Sequence, residues 1–238
     1  MLQSRILLIA IVLSIIISIP LLWYFNMFYN KQYAINSLPQ EISASLQPRI
    51  LAFGDSLTAG LGVDIREAYP TLLEEKLNKN GYEWKVINAG ISGETTAGGV
   101  RRASFVAERT KPDIIILALG ANDALRALPT KEVERNLNSI LDAFQSSAPS
   151  AKIILAGMRA PRNLGVTYTN QFDEIYPRIA QERNIPLIPF LLEGVALVPE
   201  LNLSDGIHPN PEGHRRIAQM IFPYVEREVK LLSIPREE

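Results

Sequence analysis

The chain has 238 residues, with 24 Lys+Arg against 25 Asp+Glu, 2 His and no Cys, for a formal net charge of −1. That charge gives no general attraction for nucleic acid. Absence of Cys excludes disulfides, thiolate metal sites and a Cys nucleophile, and two His are too few for an ordinary His-rich zinc site. At 47% hydrophobic and 21% charged residues, the composition is that of a folded domain rather than a disordered or fibrous chain.

The first element is an uncharged run of twenty residues, Ile6 to Phe25 (ILLIAIVLSIIISIPLLWYF). As a helix rising about 1.5 Å per residue it would match the roughly 30 Å hydrocarbon core of a bilayer. Trp23, Tyr24, Phe28 and Tyr29 suit an interfacial aromatic belt. Arg5 before the run predicts a cytoplasmic N-terminus with the remainder exported. Residues 1–30 are thus expected to form a membrane anchor. A cleaved signal peptide is the rival reading, although no small-x-small site directly follows Phe25. Residues 31–48, polar and containing two prolines, read as a linker to a domain at 49–238.

Apolar runs at Ile50–Phe53, Trp84–Ile87, Ile114–Leu119, Ile153–Ala156 and, more weakly, Leu187-Ile188 predict strands buried on both faces, as in parallel sheets. Between them, Tyr69, Leu72, Leu73 and Leu77 share one helical face, as do Val133, Leu137, Ile140, Leu141 and Phe144. A further helix is expected near Tyr168–Asn184, despite Pro177. The last helix starts with Asn210 as N-cap and Pro211 at its first position, and continues through Ile217, Met220, Ile221 and Val225. Pro223 is expected to kink or shorten it. Strand–helix alternation predicts an α/β fold: a three-layer α/β/α sandwich around a doubly wound, flavodoxin-like parallel sheet of about five strands. Sites on such sheets lie beyond the carboxyl ends of the strands.

The chemically informative residues fall at those ends. After the first strand comes Gly54-Asp55-Ser56-Leu57-Thr58, where Ser56 can be a nucleophile beside a helix N-terminus or merely a helix cap. After the second comes Asn88-Ala89-Gly90-Ile91-Ser92-Gly93-Glu94, in which Gly93 can offer a backbone N–H to a ligand or permit a turn. After the third comes Gly120-Ala121-Asn122-Asp123. Near the C-terminus, Asp205-Gly206-Ile207-His208 spaces a carboxylate three residues before a histidine. One turn can then bring the carboxylate to Nδ1 and leave Nε2 for a serine. His214 is the rival base, but its place in the first helical turn suggests a solvated surface position. Arg159–Gly165 follows the fourth strand and can line a pocket or form a surface loop.

Together these four blocks resemble the SGNH-hydrolase (GDSL-type) superfamily, the letters GDSL standing literally at 54–57. Within it, FGDSLTAG, NAGISGETTAGG, LALGANDALRALP and SDGIHPNPEGH are similar to the bacterial acyl thioesterase/lysophospholipase and arylesterase branch. The resemblance implies a serine hydrolase of aryl or alkyl esters, acyl-CoA or lysophospholipids. Ser56 would be the nucleophile, His208 the base and Asp205 its orienter. The backbone N–H groups of Ser56 and Gly93 and the amide of Asn122 would form the oxyanion hole. Asp55 and Asp123 would hold loops. No cofactor or metal, and no nucleic-acid partner, is expected; the partners are an acyl ester substrate and the membrane through residues 6–25. Two alternatives stand beside this reading. One is a carbohydrate O-deacetylase on the same fold. The other is a nucleotide- or flavin-binding module, against which Gly60-Leu61-Gly62 lacks a third Gly and no phosphate-binding G-x-x-x-x-G-K-[ST] occurs.

Overall fold

The computed structural model describes residues 47–233, so the expected membrane segment at 6–25 lies outside the described residues. The chain divides into two units, Met1–Gln47 and Pro48–Glu238, and the second holds every element below. Among the described residues no helix is long and apolar enough to cross a membrane.

Five parallel strands, β1 (Arg49–Gly54), β2 (Lys85–Gly90), β3 (Ile114–Ala118), β4 (Lys152–Ala156) and β5 (Leu187–Ile188), form one sheet in the order β2-β1-β3-β4-β5. This is the flavodoxin-like order expected from the alternating pattern. Every residue of β3 is buried, as is all of β1 after Arg49. Continuous Ile/Leu runs are what a strand covered on both faces requires. Among the described residues eight α-helices connect or flank the strands: α1 (Ser56–Ala59), α2 (Tyr69–Lys79), α3 (Thr96–Thr110), α4 (Ala121–Leu125), α5 (Thr130–Ser147), α6 (Val166–Asp173), α7 (Ile175–Arg183) and α8 (Pro211–Ser233). Helix α2 packs on α8, whereas α3 packs on α5 and α5 on α7. Inside the second group Phe53 meets Phe144 edge to face, with centroids 5.1 Å apart.

Three sequence expectations need correction, and one helix was not foreseen. Strand β2 starts at Lys85, not Trp84, and continues through Asn88 and Ala89 to Gly90. Polar Asn88 fits inside it because its amide donates to the Thr58 carbonyl and its Oδ1 accepts from Gly90 N–H. The stretch Tyr168–Asn184 is two helices, broken at Glu174 so that Pro177 falls in the first turn of α7, where its missing N–H costs no helical bond. Pro223 does not shorten α8, which runs on to Ser233. Its buried stripe of Ile217, Ile221, Val225 and Val229 supplies packing that offsets one lost hydrogen bond. Helix α3 had no apolar stripe to reveal it, because its buried face is Thr96, Gly98, Gly99, Ala103 and Ala107.

Register sets the site. Gly54 of β1 lies opposite Gly90 of β2 and Ala118 of β3, so three strands end at one level and release their loops onto one rim. Glycine is needed at Gly90: a Cβ there would stand 2.2 Å from the backbone N of Ala59, and α1 could not fold back so closely.

Candidate active site

Ser56 is the first residue of α1, immediately after β1. Its N–H therefore has no partner within the helix and faces the positive end of a short dipole. Asp55 caps the turn, its Oδ1 accepting from Leu57 N–H at 3.0 Å. That carboxyl is fully buried, and burial pushes its pKa up to about 6 against the opposing pull of the Leu57 N–H and the Asn122 amide.

His208 comes from near the other end of the chain. His208 Nε2 lies 3.0 Å from Ser56 Oγ, and His208 Nδ1 lies 2.7 Å from Asp205 Oδ2. With its proton on Nδ1, the imidazole donates to the carboxylate and presents the Nε2 lone pair to the serine hydroxyl. Asp205 does a second job. Its Oδ1 accepts from the backbone N–H groups of Ile207 and His208 at 2.9 and 3.0 Å, which folds the loop that carries the ring. Those backbone bonds, His208 first, followed by the ring contact, lower the carboxyl to about 2. The loop is closed behind by Leu203 N–H on the His208 carbonyl at 2.7 Å and by the Asn202–Pro209 bridge. As expected, Asn210 caps α8, its Oδ1 accepting from Glu212 and Gly213 N–H.

Gly93 and Asn122 come from the neighbouring strand ends. Gly93 has φ +78°, and its carbonyl accepts from Arg126 Nη2 at 2.9 Å. Asn122 stands beside Ser56 at the rim, but its Nδ2 already donates to the Glu94 carbonyl at 3.0 Å and to Asp55 Oδ2 at 3.3 Å. Asp123 takes Thr96 N–H and Oγ–H at 2.8 and 2.6 Å, tying α4 to the start of α3. Both Asp55 and Asp123 are therefore engaged in holding loops.

Ser56, Asn122 and His208 border a cavity of about 630 Å³ whose wall includes Leu57, Met158, Ala160, Phe190, Leu192 and Leu197. Arg159, Pro161, Arg162 and Asn163 also line it, so with Ala160 most of the Arg159–Gly165 stretch is pocket wall. Arg159 lies 4.7 Å over the Phe190 ring and 3.5 Å from Glu193. Among the described residues no cluster of three or more His, Asp or Glu could hold a metal ion.

His214 is not the solvated residue its position suggested. It is buried, its Nδ1 accepts from Tyr69 N–H at 3.3 Å, and its Nε2 has no partner among the described residues. Burial first, then the charge of His208, lowers it to about 4. The signal was present in the sequence: His214 lies three, four and seven residues before Ile217, Ala218 and Ile221, on the buried stripe.

A serine, histidine and aspartate in hydrogen-bonding series, set at the carboxyl end of a doubly wound sheet beside an apolar cavity, define the class of serine hydrolases. The family model described as "GDSL-like Lipase/Acylhydrolase family" matches residues 52–216, and the chain belongs to that family. It is 37% identical over 173 residues to an arylesterase of Vibrio mimicus, covering 73% of this chain and 86% of that one. It is 36% identical over 175 residues to thioesterase 1/protease 1/lysophospholipase L1 of Escherichia coli (strain K12), covering 74% and 82%. Among solved structures, AlinE4, an SGNH-hydrolase family esterase, matches at 43% identity and TM-score 0.64, covering 76% of this chain and 96% of that one.

Proposed function

We propose that the chain hydrolyses acyl esters, oxygen esters and thioesters alike, through an acyl-enzyme on Ser56. The observation that carries this reading is the Ser56–His208–Asp205 series at 3.0 and 2.7 Å, opening on an apolar cavity. Ser56 Oγ attacks the acyl carbon while its proton passes to His208 Nε2. The tetrahedral intermediate collapses as the bond to the leaving oxygen or sulfur breaks, and His208 returns the proton to that atom. Water then attacks the acyl-enzyme, gives its proton to His208, and the carboxylic acid leaves as Ser56 recovers its hydrogen. Asp205 holds the ring and stabilises its charged form. The N–H groups of Ser56 and Gly93 stabilise the oxyanion. Asn122 joins them by turning toward the oxyanion the hydrogen now directed at Asp55, the longer of its two bonds.

The apolar wall of Met158, Ala160, Phe190 and Leu192 suits an alkyl or aryl acyl group better than an acetylated sugar, which favours an esterase over a carbohydrate O-deacetylase. The uncharged run at 6–25 supports export, with the catalytic domain outside the cytoplasm and the run retained as an anchor. Fluorophosphonate labelling of the wild type, absent in Ser56→Ala, tests the nucleophile. Rates across p-nitrophenyl esters of increasing chain length, acyl-CoA, lysophospholipid and acetylated xylan test the substrate class. Labelling that persists in Ser56→Ala, or turnover confined to acetylated xylan, would overturn the corresponding half of the reading. N-terminal sequencing after fractionation tests the anchor: a soluble product beginning near residues 30–50 would make it a cleaved signal.

A further inference from the structure

We infer that the buried Glu94–Arg102 ion pair is a positioning device, which sets the distance between the nucleophile turn and the loop that carries Gly93. The inference rests on the reading that Ser56 and Gly93 N–H groups share one oxyanion. Those two donors belong to different chain segments, one after β1 and one after β2. Nothing in either segment alone holds them within the few tenths of an ångström that charge stabilisation needs.

Arg102 touches both. Its Nε lies 2.9 Å from each Glu94 carboxylate oxygen, and its Nη2 bonds Glu94 Oε2 as well. The same Nη2 donates to the Gly54 carbonyl at 3.1 Å, two residues before Ser56. Its guanidinium lies 3.7 Å over the Phe53 ring. One planar group on α3 thus joins the last residues of the nucleophile strand to the residue after Gly93. The side chains are 15% and 9% exposed, so water does not compete for these bonds. Space for the pair is reserved: a Cβ on Gly98 would lie 2.6 Å from Glu94 Cγ, and the helix keeps a glycine there despite its poor helix propensity. The peptide between Gly93 and Glu94 is held on its other sides by Arg126 on the Gly93 carbonyl and, one peptide on, by Asn122 on the Glu94 carbonyl. Asn122 also ties this loop to the nucleophile turn, through Asp55, and Ile91 N–H reaches the Gly54 carbonyl at 3.0 Å; of the side-chain tethers, Arg102 is the one that bonds β1 itself.

Stability alone does not account for the pair. A buried ion pair is often matched or bettered by apolar residues of similar volume. What apolar residues cannot supply is a fork that bonds a carboxylate and a separate carbonyl at fixed geometry; Lys, a point donor on a flexible stem, cannot hold both either.

The test uses the full chain with two variants. Glu94→Leu/Arg102→Met replaces the pair by apolar groups, leaving no charge stranded. Arg102→Lys keeps the charge but gives up the fork. Both are expected to fold, as judged by circular dichroism and melting temperature. Expected values of kcat for a short p-nitrophenyl ester are roughly 10²-fold lower for the double variant and about tenfold lower for Lys, at unchanged KM. Labelling of Ser56 by fluorophosphonate should slow in parallel. Wild-type kcat in the folded double variant, or in Arg102→Lys, would overturn the inference. So would a loss that appears in KM or in the folded fraction instead of kcat. Ser56→Ala run alongside separates the two levels: full activity in it sinks the underlying mechanism, whereas an inactive Ser56→Ala beside normal pair variants sinks the positioning role alone.

Discussion

The two halves of the site are built in opposite ways. The Ser56 half is embedded: Asp55 is fully buried and Ser56 only 6% exposed, held where β1, β2 and β3 end in register. The base half lies on the surface, with the Asp205 side chain 45% exposed. Its geometry comes from a loop that Asp205 itself folds through two backbone N–H bonds. In the first half the core enforces orientation. In the second a single carboxylate supplies both local structure and electrostatics. Substitutions around Ser56 should therefore affect rate and stability together, while substitutions at Asp205 should affect rate with little effect on the core.

The largest expected effect tests the embedded half at the one atom it does not need for packing. Ser56→Ala should lower kcat by roughly 10⁶-fold, while its melting temperature stays within a few degrees, since only the contact with His208 is lost. A melting point far below wild type would mean that the hydroxyl itself holds the turn and is not spare to the packing.

At the exposed half, Asp205→Asn keeps an oxygen for the Ile207 and His208 N–H groups but no longer favours the right imidazole tautomer. The expected loss in kcat is up to about 10⁴-fold, with an unchanged melting temperature. Asp205→Ala removes both functions and should disorder the loop as well, which hydrogen exchange of Ile207 and His208 would report. The wild-type carboxyl, lowered to about 2, contributes stability that is present above pH 4 and lost only as pH falls toward 2. The acid limb of the rate profile near neutrality is therefore not set by Asp205.

Asn122 bridges the two styles of construction, because its amide is tied to Asp55 and to the Glu94 carbonyl. Asn122→Ala should lower kcat by roughly 10²–10³-fold with little change in KM. It should also lower the melting temperature by several degrees, because the buried Asp55 loses a donor. Lower stability with near-normal kcat would reduce Asn122 to a structural tether.

Much of this was legible in the sequence where one residue type carries the constraint. Apolar runs marked all five strands, most clearly β1 and β3, where a strand buried on both faces tolerates little else, and the three-residue spacing of Asp205 and His208 pointed to their contact. Legibility failed where packing rather than pattern decides. Helix α3 buries glycines and alanines, so its inner face looks like a loop composition. Glu94 and Arg102, eight residues apart, give no local sign that they pair or that Arg102 reaches back to β1. The residues around Pro177 and Pro223 look alike in sequence, yet one breaks a helix and the other does not. The difference lies in position: Pro177 stands in the first turn, whereas Pro223 is carried by a stripe packed along its whole length. His214 sits in the capping turn, which suggests solvent, and also on the stripe of Ile217, Ala218 and Ile221, which buries it.

The smallest expected effect concerns two buried titratable groups behind the site, His214 and Asp55, whose linkages to stability have opposite signs. His214 has a folded pKa of about 4 against an ordinary 6.5. An unfolded chain therefore takes up a proton that the folded one refuses, and stability falls as pH drops from about 6.5 to 4. Asp55 has a folded pKa of about 6 against 3.8. Here the folded chain takes up the proton first, so this contribution is fully present below pH 4 and is lost as pH rises through 6. At about 1.4 kcal/mol per pH unit, each amounts to roughly 3 kcal/mol at its limit. Between pH 4 and 6 the two largely cancel. His214→Gln keeps an acceptor for Tyr69 N–H without a titrating ring. Relative to wild type, its melting temperature should rise as pH is lowered from 7 to 4.5. Asp55→Asn, which removes the opposite linkage, should instead lose stability over the same range relative to wild type. Thermal melts of the three proteins across that range read the difference directly, because all other titrating groups are shared. Parallel curves for His214→Gln and wild type would show that His214 is protonated in the fold as readily as outside it, and that its buried Nε2 has reached water after all.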